Sequence, residues 1–302
     1  MTSSGNDFAA AVAEGRALSR AEAEALLANP DLLLTGTLGE QARVAITGRQ
    51  VTYGRVAVVT ADFDPAQVGE ACEVRLVGTP VTVEMAIARV RGAAGRTGHA
   101  VLTGFSLADL LDLAGHDHLG LAELARECAS AGLEAVAEAP IDLLGDLDHA
   151  TEVVRAAQHG GLAVRCLTVS RASLEARLPL IELACQMQDA LGTFAAFAPL
   201  PRLDPADTPA TGYDDVRTVA AARLMCRNIR AIQVDWPLYG PKLAQVAIAY
   251  GANDIDGIAP IADPAAGHRR SPKEDIERQI RAAGADPVER DARYEVTRAA
   301  GR

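Results

Sequence analysis

The chain is poor in the features that most readily disclose a function. Aromatic residues make up only 4% of its 302 positions, with a single tryptophan, and the formal charge is −11. So acidic a chain offers little to a nucleic acid, whose phosphates call for clustered Lys and Arg. Basic residues cluster once, in "HRR" from His268 to Arg270, which reads as a local anion site or a solvated turn. No stretch approaches the roughly 18 consecutive apolar residues of a membrane span, and the start carries no basic segment followed by an apolar core. The expectation is a soluble, cytoplasmic protein with neither a nucleic-acid nor a membrane partner.

Cysteine is also sparse and scattered. The shortest interval among Cys72, Cys128, Cys166, Cys185 and Cys226 is the 19 residues from Cys166 to Cys185. No pair has C-x-x-C spacing, so neither a zinc knuckle nor a redox dithiol is written, and no metal site is expected. All except Cys72 read as buried free thiols in apolar segments such as "LAVRCLTV" and "AAARLMCRNI". The close pair "HDH", His116 to His118, falls in a predicted helix-to-helix turn and reads as surface.

What the chain does have is alternation. An amphipathic N-terminal stretch, Phe8 to Ala28, precedes eight short apolar runs: "RVAVVT" at 55, "EVRLVG" at 73, "HAVLTG" at 99, "EAVAEA" at 134, "LAVRCLTV" at 162, "FAAFAPL" at 194, "AIQVDW" at 231 and "DIDGIA" at 254. Helix-length amphipathic segments fill most of the intervals, several of them closed by glycine. Eight buried parallel strands alternating with helices predict an α/β fold, a (β/α)8 barrel. A doubly wound nucleotide-binding sheet would want G-x-G-x-x-G after its first strand, and "TADFDPAQVG" has none. That first interval, Ala61 to Cys72, scarcely admits a crossover helix, since a parallel connection needs about a dozen residues. The first helix is therefore expected to be shortened or lost, with the N-terminal helix or another subunit covering the flank it exposes. The predicted division is a helical extension over 1–46 and the barrel over 47–302.

The second half carries a longer signature. "TGYDDVRTVAAARLMCRNIRAIQVDWPLYGPKLAQVAIAYGANDIDGI", Thr211 to Ile258, followed by "AGHRRSPKEDIERQIRAAGADPVERDARYEV", resembles the C-terminal half of the radical SAM enzymes of menaquinone biosynthesis by the futalosine route. The resemblance is nearest to aminofutalosine synthase and dehypoxanthine futalosine cyclase, and it is dense after Ile181 and thin before. It implies a barrel with C-x3-C-x2-C in the loop after the first strand, three thiolates holding a [4Fe–4S] cluster to which SAM binds. Here the loop has one cysteine. An ungapped count puts Pro65, Gly69 and Cys72 at the ligand positions, whereas a gapped count deletes both cluster loop and first helix and leaves Cys72 incidental. "EAPID", Glu138 to Asp142, stands where the family has a Gly-rich turn facing SAM, and "LTVSRAS" ends the fifth strand where glycine and histidine are usual. No cofactor is expected.

Polar residues remain at the predicted strand ends. Glu138 and Asp142 are the candidate acid and base, and Arg171, Arg202, Asp235, Trp236, His268 and Arg269 the candidate ligand-binding residues. The same residues also read as helix caps and solvated loops, and Trp236 as a lid on the core. The expected function is that of a non-catalytic or radical-independent homologue of the futalosine route that binds a pathway nucleoside, a carboxylate or a partner enzyme. Acid–base catalysis at the mouth and retained radical SAM activity are the alternatives.

Overall fold

The structure, a computed structural model, describes residues 5–59, 68–203, 210–261 and 272–297. All eight apolar runs become strands: β1 (Gln50–Val59), β2 (Glu73–Leu76), β3 (Val101–Ser106), β4 (Ala135–Pro140), β5 (Cys166–Val169), β6 (Ala196–Pro201), β7 (Ala231–Asp235) and β8 (Asp254–Ile258). Every neighbouring pair is parallel, and β1 bonds to both β2 and β8, which closes the barrel. Strands enclosed on both faces must be apolar outward as well as largely inward, which is why they stand out as runs rather than as alternations.

Helices α1 (Gly5–Ala13), α2 (Arg20–Ala28) and α3 (Leu32–Thr47) come before the barrel. The stretch read as one amphipathic segment is thus two helices, because Ser19 starts α2 with a capping box closed by Glu22. Around the barrel run α4 (Val83–Ala94), α5 (Leu107–Leu113), α6 (His118–Ala131), α7 (Leu147–His159), α8 (Leu174–Leu191), α9 (Gly212–Met225), α10 (Trp236–Ala249) and α11 (Pro272–Ala282). α3 packs on α9 and α10, and α2 on α8 and α9. The N-terminal helices therefore pack on the α8–α10 flank and not on the β1–β2 side, which removes the first of the two covers the sequence reading offered. No helix among the described residues is long and apolar enough to cross a membrane.

Between β1 and β2 residues 68–72 form a turn, and 60–67 lie outside the described residues. The turn buries Val68 and Ala71 itself. Gly69 has φ +48°, and a Cβ there would come within 2.6 Å of Ile261 Cγ1, so this close approach requires glycine.

Two features depart from the sequence reading. Cys185 on α8 and Cys226, the cap of α9, form a disulfide across a separation of 41 residues, so these two are not free thiols. A ninth strand, β9 (Asp286–Glu289), pairs with Gln50–Tyr53 of β1, while β2 takes Val56–Val59 on the same side. The chain after β9 then turns under the barrel. Arg290 enters the interior beside Gly54, where a Cβ would lie 2.7 Å from its Nη1. Tyr294 packs against Cys166, Ala196, Ala198 and Ala231, small residues on β5 to β7 that leave room for its ring.

Candidate functional site

Inward-facing charges stack through the barrel in two tiers. At the floor, Arg290 donates from Nε to Asp254 Oδ2 (2.7 Å) and from Nη2 to Asp254 Oδ1 (2.8 Å) and Asp256 Oδ1 (3.1 Å). The Tyr294 ring lies 4.1 Å from the guanidinium carbon, and Gln233 donates to both Asp254 and the Tyr294 hydroxyl. Above this, Arg75 of β2 donates to Asp256 Oδ2 (2.7 Å) and Glu73 Oε1 (2.7 Å), and Glu73 also accepts from the Thr103 hydroxyl. Burial alone would raise the Asp256 carboxyl, but Arg75 and Arg290 outweigh it and hold Asp256 well below the usual carboxylate range.

The upper tier opens into a cavity of about 410 Å³ at the C-terminal ends of the strands. This is the face on which barrels of this kind carry their chemistry. Arg202, just past β6, lies between Glu138 at the end of β4 (Nε to Oε2, 2.6 Å) and Asp235 at the end of β7 (Nη1 to Oδ2, 3.2 Å). Asp235 also caps α10, its Oδ1 accepting the Leu238 N–H at 2.9 Å. Burial and the charge of Asp256 push its carboxyl up, against the Leu238 N–H and Arg202. Asp109 of α5 also lines the cavity, pushed up by burial despite the Thr79 hydroxyl bonded to it. Phe105, Val77, Pro237 and Leu238 add apolar walls.

The structure thus brings together Glu138, Arg202 and Asp235 and leaves the other candidates apart. Asp142 turns to the backbone, accepting the N–H groups of Ser170 (2.7 Å) and Arg171 (2.8 Å), so both its oxygens anchor the loop after β5. The Arg171 side chain is exposed and does not line the cavity, and Trp236 packs on the core from the first turn of α10. His268 and Arg269 lie outside the described residues. Sequence reading missed Arg75, Glu73, Asp109 and Arg290; the signal for the first two was a pair of charges at alternate positions in the short apolar strand "EVRL". Around "HDH", Asp117 caps α6, and no cluster of three or more metal-ligating side chains occurs among the described residues.

The thiol set does not fit a [4Fe–4S] cluster. Residues 60–67 read "TADFDPAQ" and contain no cysteine. Cys72 lies at the floor side of β2, donating to Arg55 O (3.2 Å) and Arg290 O (3.0 Å), and burial pushes its thiol up to about 11. Cys166 faces Gln233 at the floor and is pushed up by burial to about 12, while Cys128 is buried on α6 in the outer ring. These positions agree with the gapped count, in which Cys72 is incidental.

Residues 195–301 match the family described as the CofH/MqnC C-terminal region. The chain is 34% identical to aminodeoxyfutalosine synthase of Streptomyces coelicolor over 37% of this chain and 35% of that protein. It is 35% identical to the Thermus thermophilus aminodeoxyfutalosine synthase over 42% and 38% of the two chains. It is also 35% identical to 5-amino-6-(D-ribitylamino)uracil–L-tyrosine 4-hydroxyphenyl transferase of Methanothermobacter thermautotrophicus, over 47% and 44%. The chain thus matches less than half the length of these curated relatives. Among solved structures, methylornithine synthase (PylB) aligns with a TM-score of 0.64 at 12% identity, over 93% of this chain and 97% of that one. HydG, a maturase of the [FeFe]-hydrogenase, aligns with a TM-score of 0.66 at 12% identity, over 95% and 77%. At that identity the likeness is one of fold, the closed barrel with its ring of helices. Residues 195–301 thus match the CofH/MqnC C-terminal region, and over less than half its length the chain is similar to the aminodeoxyfutalosine synthases.

Proposed function

We propose that this protein is a radical-SAM-like barrel of the futalosine menaquinone route that works without a [4Fe–4S] site of its own, and that it binds a pathway nucleoside at its mouth. The observation that carries this reading is a contrast within the barrel. The loop after β1 offers no set of thiolates, while the mouth keeps a polar cavity of about 410 Å³, within the size range of small-molecule sites. Glu138, Arg202 and Asp235 supply fixed polar groups, and the apolar walls suit a base or sugar face. Acid–base chemistry by a Glu138–Asp142 pair is the weaker reading, because both oxygens of Asp142 already hold backbone N–H groups.

Two measurements test the proposal. Anaerobic reconstitution with iron and sulfide is expected to leave less than stoichiometric iron and no iron–sulfur absorption band; a full cluster would overturn the reading. Calorimetry with aminodeoxyfutalosine is expected to show saturable binding that weakens in Arg202→Met. Absence of binding would move the function to contact with a partner enzyme of the route.

A further inference from the structure

We propose that Arg89, which does not itself line the cavity, is the positioning residue of the mouth: it fixes the wall made by the loop after β2 and the end of β3, and through that wall the fit of the ligand. The second half rests on the reading of the mouth as a nucleoside site; the first does not. Val77, Gly78 and Thr79 follow β2, Phe105 and Ser106 end β3, and all five line the cavity. The parallel ladder between the two strands stops at Leu76 and Gly104, so the carbonyls of Val77 and Gly78 lie beyond it. Backbone oxygens at such a place need another partner. Arg89, in the middle of α4, supplies it, donating from Nη2 to Val77 O and from Nη1 to Gly78 O (2.9 Å).

The same guanidinium lies over the Phe105 ring, its carbon 5.2 Å from the centroid, so one planar group ties the two strand ends together. Phe105 needs the tie. Its φ of +58° is a left-handed conformation that a residue with a Cβ disfavours, and such a conformation persists only where the surroundings impose it. Gly78, at φ +87°, adds a turn of the freest residue type beside it. Among the described residues no carboxylate forms an ion pair with Arg89, so its donors serve carbonyls and its face a ring, not a counter-ion. Thr79 carries the effect along the wall, since its hydroxyl bonds to Asp109, another lining residue.

The test compares the full chain with Arg89→Met, which keeps an unbranched stem, and Arg89→Lys, which keeps the charge but not the planar fork. Hydrogen exchange followed by mass spectrometry is expected to run at least fivefold faster in segments 74–80 and 103–109 of Arg89→Met, with α8 and α9 unchanged. Calorimetry with aminodeoxyfutalosine, well below the melting temperature of each variant, is expected to show affinity at least tenfold weaker in Arg89→Met and at least threefold weaker in Arg89→Lys. Unchanged exchange in the two segments, or faster exchange throughout the chain, overturns the positioning role whatever the affinity. Full affinity in Arg89→Lys would reduce Arg89 to a charge and overturn the grip on two carbonyls. Faster exchange confined to the two segments, with affinity intact in Arg89→Met, keeps the wall and overturns its part in ligand fit. If aminodeoxyfutalosine fails to bind the unaltered chain, the nucleoside reading falls, and the exchange result alone decides the role of Arg89.

Discussion

Arg290 and Arg202 are built alike, each a guanidinium between acidic side chains of inward-facing strands, yet they lie at opposite ends of one barrel and do different work. Arg290 is 1% exposed and spends its donors on Asp254, Asp256 and the Asp291 carbonyl, with Tyr294 across its face. Arg202 is 21% exposed, lies between Glu138 and Asp235, and a cavity opens beside it. At the floor the arrangement is closed on itself and holds the C-terminal segment in the barrel. At the mouth the same chemistry is left incomplete, and an incomplete polar arrangement in an enclosed space is what a ligand can finish. Enclosure, and not residue type, separates the structural arginine from the functional one.

The sharpest way to break this comparison is to remove each arginine in turn. Arg290→Met leaves Asp254 and Asp256 buried with one cation fewer, a lesion that typically costs about 3–5 kcal/mol. Arg202→Met is expected to cost less, about 1–2 kcal/mol, since the cavity lets water reach Glu138 and Asp235, which are 29% and 13% exposed. Urea unfolding of the two variants measures both, and equal losses would mean that the mouth is as structural as the floor. A smaller effect is expected from Gly54→Ala. The new methyl would sit 2.7 Å from Arg290 Nη1 and 3.1 Å from Cζ, and a side chain held at all three guanidinium nitrogens does not swing aside freely. Overpacking of this kind costs about 1–3 kcal/mol. A neutral result would show that Arg290 has room to shift and that the floor is looser than its hydrogen bonds suggest.

The same contrast explains what was legible in the sequence. Strands enclosed on both faces leave apolar runs, so β1 to β8 could be read directly. β9 could not, because "DPVE" is short, half-exposed and carries a proline and two acids. Its strand character comes from pairing with β1, which no local pattern encodes. Glu138, Arg202 and Asp235 were readable from position alone, since residues at or just past the C-terminal ends of barrel strands face the mouth. Asp142 and Trp236 satisfy the same positional rule, but the first turns back to the Ser170 and Arg171 N–H groups and the second starts a helix that aims it at the core. Nor does spacing bring Cys185 to Cys226: α8 and α9 do so by packing side by side.

Acid should separate the two tiers, with the smallest signal of those predicted here. Asp256 has a folded pKa held below the unfolded value of about 3.9, so the stability it contributes is complete above that pH. It is lost only as the pH falls through the lower folded value. Asp235 is shifted the other way. It takes up its proton in the folded state at a pH above about 3.9, a step that costs no stability because burial already disfavours its charge. Protonation breaks the Arg202–Asp235 ion pair next to Trp236, the chain's single tryptophan, so fluorescence reports the mouth without labelling. Lowering the pH is expected to shift the Trp236 emission first, with far-UV circular dichroism unchanged, and to unfold the barrel only at a lower pH. In Asp235→Asn the early step should vanish while the later one stays. Coincident transitions in the wild type would mean that the floor gives way with the mouth, and that the two arginines belong to one cooperative network.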